Sequence, residues 1–252
     1  MIKLFRKIRQ NLLNEGKTSK YFKYAIGEII LVVIGILIAL NINNWNEVKN
    51  NRNAEIKTLS QLSIDLKSNL NEIKDMLDQI IEANTSGKKI LNHLDSNEQV
   101  TDSLKFWVET FNGRNIFNNA NTTYKTIQNN TKNSITNDSL RLKITLMYER
   151  DFDNINKREK VLNEEFFALY QLELNKNFKT SPSISKYFEN LELEVNTPLN
   201  LDQLKTNEHY KNVLIGVYNF RLLRIQWLKG TITDLTKLIT AVDAEIKNLK
   251  TY

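Results

Sequence analysis

The chain has 252 residues, 41% hydrophobic and 25% charged, a balance that excludes a disordered chain and fits one domain of ordinary size plus a further segment. Two prolines and seven glycines are too few for the turns of a sheet-rich fold, and the absence of cysteine excludes disulfides, thiol catalysis and thiolate metal sites. The net charge of +6 sits wholly in residues 1–23, where Lys3, Arg6, Lys7, Arg9, Lys17, Lys20 and Lys23 face Glu15 alone; the rest of the chain is neutral, without the basic face that nucleic-acid binding needs.

In chain order, the basic segment 1–23 reads as a cytoplasmic tail. Within it Ile2, Phe5, Ile8 and Leu12 recur at helical spacing. They describe an amphipathic helix on the anionic inner leaflet, held there by Lys3, Arg6, Lys7 and Arg9, or equally a plain basic leader. Residues 24–44 follow as a transmembrane helix. Ile29 to Leu40 is unbroken apolar sequence, and Tyr24 to Ile42 gives roughly 28 Å of helix at ~1.5 Å per residue, close to a hydrocarbon core of ~30 Å. Trp45 suits one interface, and Tyr21, Phe22 and Tyr24 the other. Seven basic residues before the span place the N-terminus in the cytoplasm and the bulk of the chain outside it. A cleaved signal sequence is the main alternative, but Leu37 and Ala39 make a poor cleavage pattern.

Inside the span Gly27, Leu31, Gly35 and Ala39 share one face, where small residues let helices approach closely. Glu28 lies about one turn inside the cytoplasmic edge. It reads first as an interfacial carboxylate among headgroups, Lys20 and Lys23, and second as a ring around an oligomer axis that conducts protons.

Residues 45–252 read as a helical bundle domain. A seam of Leu59, Leu62, Leu66, Leu70, Ile73, Leu77 and Ile80 weakens at Asn84–Gly87 and resumes at Ile90, Leu91 and Leu94. Short helices are expected at Ser103–Phe111, Thr122–Asn129 and Ile184–Leu191. A long helix starts near Asn137-Asp138-Ser139 and carries Leu140, Ile144, Met147, Ile155, Leu162, Phe166, Leu169 and Leu172 inward. Pro182 and Pro198 bracket an irregular connection over 178–206. The last helix runs from Leu214 to Leu249 in steps of four and three, broken only by Arg221. Arg221 reads as a snorkelling edge residue, with a buried ion pair that fixes register as the alternative.

Motifs of catalysis are absent. There is no glycine-rich phosphate loop and no nucleophile elbow, and His93 and His209 lack metal-ligand spacing, so no catalytic, cofactor or metal residue is assigned and an enzyme is not expected.

The runs Met1-Ile2-Lys3-Leu4-Phe5-Arg6-Lys7-Ile8-Arg9-Gln10 and Tyr24-Ala25-Ile26-Gly27-Glu28-Ile29-Ile30, and the boundary Ile42-Asn43-Asn44-Trp45-Asn46-Glu47, resemble single-pass inner-membrane proteins of Bacteroidota. Thr122-Thr123-Tyr124-Lys125-Thr126-Ile127 and Leu140-Arg141-Leu142-Lys143-Ile144 extend the resemblance more loosely. It implies a Gram-negative inner membrane and a periplasmic domain, makes Gly27, Glu28 and Trp45 parts of a shared module, and brings no catalytic residues. The expected fold is all-α, a single N-terminal transmembrane helix followed by an extended antiparallel helical bundle. The expected role is non-enzymatic: a homo-oligomer, or an accessory or scaffold subunit bound to other envelope proteins. A periplasmic sensor signalling through a partner, and an ion-conducting oligomer built on Glu28, are the alternatives.

Overall fold

The computed structural model describes residues 18–129, 134–179 and 197–251. The basic segment with Lys3, Arg6, Lys7 and Arg9, and the short helix expected at Ile184–Leu191, lie outside them. The fold is all-α. In order come α1 (Thr18–Leu94), α2 (Asp102–Phe111), α3 (Thr122–Asn129), α4 (Asp138–Leu146), α5 (Asp153–Val161), α6 (Phe167–Asn177), α7 (Leu201–Lys205) and α8 (Glu208–Thr251). Wide π-helical turns at Met147–Phe152 and Leu162–Phe166 join α4, α5 and α6 into one rod. The only strands among the described residues are β1 (Phe178–Lys179) and β2 (Thr197–Pro198), an antiparallel pair. The chain divides into two compact units, one ending at Ile56 and the other covering Lys57–Tyr252.

In the first unit, the residues from Ile29 to Leu40 are exposed. The large hydrophobic ones are between 48% and 63% exposed, all round the helix.

The second unit is built on three rods. Helix α8 runs antiparallel to α1: Ser63 Oγ and Lys67 Nζ reach Asp243 at 2.6 and 2.9 Å, and Asp95 accepts from Lys211 Nζ at 2.9 Å. These ties lie 32 residues apart along each segment (63 to 95, just past the end of α1, and 211 to 243 on α8), so the pair stays in step along its length. The α4–α6 rod is also antiparallel to α8. Asn137 Nδ2 donates to Glu245 at 3.1 Å, and Asn207 Nδ2 donates to Asn177 at 3.1 Å. The rod uses 40 residues (137 to 177) where α8 uses 38 (207 to 245), and its two surplus residues match its two π turns, each of which inserts one residue into an α-helix.

Asparagine is a mediocre helix former but a strong N-cap, and the caps put the abundant Asn to use. Asn137, Asn200 and Asn207 side chains accept from the third backbone N–H that follows each, at 3.1, 3.0 and 3.0 Å, at the starts of α4, α7 and α8.

The segment between α2 and α3 has no helix of its own, and its backbone groups need partners. A polar row on α1 supplies them. Gln79 takes Asn115, Glu72 takes the N–H of Asn118, and Asp65 takes the N–H of Thr123 at the start of α3. Asn69, fully buried, makes a reciprocal pair with Ala120: its Nδ2 donates to the carbonyl at 2.9 Å and its Oδ1 accepts from the N–H at 2.6 Å. The segment thus lies antiparallel along α1 and carries Phe117 into the core.

Asn69→Leu leaves the Ala120 N–H buried without a partner and lowers unfolding free energy by about 1–3 kcal/mol in urea titration. The Ser63 hydroxyl and the Lys67 ammonium hold the Asp243 carboxyl below its ordinary value of 3.8. A depressed carboxylate contributes stability above its unfolded-state pKa and loses it as pH falls through the folded one. The stability gap between wild type and Asp243→Asn is therefore constant above pH ~4 and closes below it, with pH-dependent melting as the measurement.

Candidate functional site

Two clusters of apolar residues fill the second unit. One gathers Leu59 to Ile80 of α1, Leu140 to Ile155 and Ile225 to Val242. The other gathers Ile90 and Leu94, α2, Leu162 to Leu174 and Tyr210 to Val217. On every rod a polar stretch separates them: Asn84, Ser86 and Gly87 on α1, Glu159 on α5, Arg221 and Arg224 on α8, all of them buried. A charged layer therefore crosses the interior between two apolar halves.

Arg221 is the largest fully buried side chain among the described residues, 1% exposed. It is not a snorkelling edge residue, because its head has nowhere to emerge: the guanidinium lies over the Phe111 ring at 4.4 Å and the Phe167 ring at 5.0 Å. Its Nη2 donates to the carbonyls of Phe111 at 2.8 Å and Gly113 at 2.9 Å. These carbonyls close α2, where a positive charge also meets the negative end of the helix dipole. The register alternative proposed a carboxylate partner; the direct bonds go to main chain instead.

The ion pair belongs to Arg224, which meets Glu159 with side chains 3% and 8% exposed. Burial pushes the Glu159 carboxyl above its ordinary value, and the charges of Arg224 and Arg221 only partly offset it. Burial also pushes Arg221 down to about 9, opposed by Tyr170 and Glu159, with Arg224 adding to the fall. Glu159 thus pairs directly with Arg224, while Arg221 is held by the carbonyls at the end of α2. Tyr170 and Tyr210, both fully buried on the α6 side of this layer, are raised by burial. A second buried carboxylate, Glu173, is met by Lys176 at 2.8 Å and His209 at 3.4 Å.

Gly87 lets α2 reach the layer. A Cβ there would stand 2.3 Å from Cε2 of Phe111, so only glycine admits the ring that Arg221 covers.

The residues singled out in the span lie elsewhere, in the first unit. Gly27, Gly35 and Ala39 are exposed, and a Cβ on either glycine would meet nothing within 4 Å. Glu28 is half-exposed, and Trp45 is 67% exposed with Lys49 Nζ 5.4 Å from its ring centroid. His93 pairs with Glu98 at 3.0 Å rather than with His209, and no three metal-ligating groups converge among the described residues. Glu159 and Arg224 escaped the sequence reading. The signal was there in a break of all three seams at one level of an antiparallel bundle.

The charged layer predicts non-additive energetics. Glu159→Gln or Arg224→Met alone strands the partner and costs about 3–5 kcal/mol, while the double variant costs far less than their sum in a denaturation cycle. Gly87→Ala overpacks against Phe111 and costs about 1–3 kcal/mol in the same assay.

A family of unknown function, DUF6090, matches residues 28–220, and the chain belongs to that family. No curated protein and no solved structure matches it.

Proposed function

We propose that this member of the DUF6090 family is a non-enzymatic protein of a bacterial inner membrane, anchored by the helix at residues 24–44. Its N-terminus is cytoplasmic and its helical unit periplasmic. The observation that carries the reading is the apolar surface from Ile29 to Leu40, exposed on every side of a helix that is long and apolar enough to cross a membrane. In water such a surface would drive aggregation; in lipid it is matched. The family pattern begins at residue 28 and runs through this stretch into the helical unit, which favours a retained anchor over a cleaved signal. The basic segment 1–23, with Lys3, Arg6, Lys7 and Arg9 on anionic lipid, supports the orientation. Trp45, with Lys49 over its ring, suits the periplasmic interface. The resemblance to inner-membrane proteins of Bacteroidota supports the compartment.

The role is that of a scaffold or accessory subunit, working as a homo-oligomer or with other envelope proteins. The open face of Gly27, Gly35 and Ala39 fits helix association in lipid. The helical unit favours a structural role, because its buried charges bind its own main chain and each other.

Wild-type protein should remain in the membrane pellet after alkaline carbonate extraction. Ile34→Lys, which places a charge near the bilayer centre at a cost of ~2.5–3.5 kcal/mol, should raise the extracted fraction. A single cysteine at Asn53 should react with an impermeant maleimide added from the periplasmic side. Reaction only after the inner membrane is opened would reverse the topology. Native mass spectrometry of protein released from its own membrane should give a multiple of the chain mass or a mass with foreign subunits. A bare monomer would end the assembly reading.

A further inference from the structure

The π turn at Leu162–Phe166 leaves α6 with two complete apolar rows, of which only one is packed. The packed row is Leu162, Phe167, Tyr170 and Leu174, with steps of five, three and four. The five-residue step is the π turn itself. An uninterrupted α-helix would instead carry the row Leu162, Phe166, Leu169 and Leu172 inward. Here Leu169 is 55% exposed and Leu172 is 52% exposed, although the solvent face of a soluble bundle helix is ordinarily polar.

We infer that α6 has two packing registers on α8, exchanged when the π turn at Leu162–Phe166 migrates to the C-terminal end of α6. In the second register every α6 side chain takes the place of its successor. Phe166 replaces Phe167, Leu169 replaces Tyr170, and the pair Leu172–Glu173 replaces Glu173–Leu174. Two of the three exchanges keep the inventory, phenylalanine for phenylalanine and one leucine with one glutamate for the same two residues in reverse order; the third puts leucine where Tyr170 stands. Swaps that conserve volume and polarity are the ones a packed core tolerates. The Phe166–Phe167 doublet makes the exchange feasible beside Arg221. The Phe167 ring lies 5.0 Å from the Arg221 guanidinium, and Phe166, already half-buried against Phe220 at 4.9 Å, is the ring that would succeed it. Arg221 thus keeps an aromatic partner in both registers. The first register buries the Tyr170 and Tyr210 hydroxyls and the Glu173 carboxylate; the second takes the Tyr170 hydroxyl out of the core and carries Glu173 to the place of Leu174, so each register buries polar groups. A packed helix with two discrete arrangements is a bistable element that a partner or ligand can bias.

The natural chain has no cysteine, so one introduced thiol reports alone. Leu174→Cys places it in the packed row, fully protected in the first register and exposed in the second. Its rate of maleimide labelling is measured in the full-length chain in lipid nanodiscs, with and without Leu169→Glu. This glutamate faces water in the first register and would be buried in the place of Tyr170 in the second, so it locks the first without disturbing its fold. Labelling at least tenfold slower in the locked chain is the expected result. Deletion of Asn163, which brings Leu162 and Phe167 four residues apart and removes the surplus residue, should slow labelling in the same way. Labelling equally fast, or faster, in both locked chains overturns the two-register inference and leaves Leu169 and Leu172 as static surface.

Discussion

Burying a guanidinium in a helical bundle is costly, and the second unit of this chain is arranged around doing so. Arg221 is held because three separate elements converge on it: α2 ends with its carbonyls pointing there, Phe111 and Phe167 cover its faces, and Gly87 leaves room for the Phe111 ring. Each condition fixes a position on a different helix. A one-residue slip of α1 would move Gly87 away from Phe111, and a slip of α8 would take Arg221 from the end of α2. Leucine seams cannot discriminate like this, because a row of similar side chains packs nearly as well one turn away. The charged layer therefore supplies the specificity that the two apolar clusters on either side lack.

The same reasoning explains how a chain rich in Asn folds as helices. Asn contributes little inside a helix, and here Asn137, Asn200 and Asn207 cap helix starts while Asn69 on α1 holds the main chain of the segment between α2 and α3. Low propensity is offset by local caps and by packing, and the helices depend on the assembled unit as well as on their local sequence.

Much of the architecture was legible in the sequence. The apolar run, the three long seams, the short helix at Thr122–Asn129 and the N-cap at Asn137 follow from periodicity and capping alone. The weakening of the first seam at Asn84–Gly87 was visible too, but its cause was not, because a polar break in one helix gains meaning only from breaks at the same level of its neighbours. The segment between α2 and α3 was opaque for a similar reason: its partners are side chains of α1 some fifty residues away. The inward face of α6 was misplaced. An α-helical period carries Leu169 and Leu172 to the core, whereas the π turn advances the packed row by one residue to Tyr170 and Leu174. A single five-residue step lies within the tolerance of a helical pattern, and so it passes unnoticed in a linear reading.

The antiparallel register of α1 and α8 brings the entry and exit of the helical unit to the same end. Ser63 and Lys67, near where the unit begins, are tied to Asp243, near where the chain ends. A pull applied between Lys57 and Thr251 would load this pair like the two sides of a zipper, one tie at a time, rather than in shear across the whole interface. The helical unit would yield to such tension progressively, from the Ser63–Asp243 tie toward the charged layer, and Arg221 would stand as the first obstacle to its opening further. The same unit pulled at the opposite ends of its rods would resist as a block.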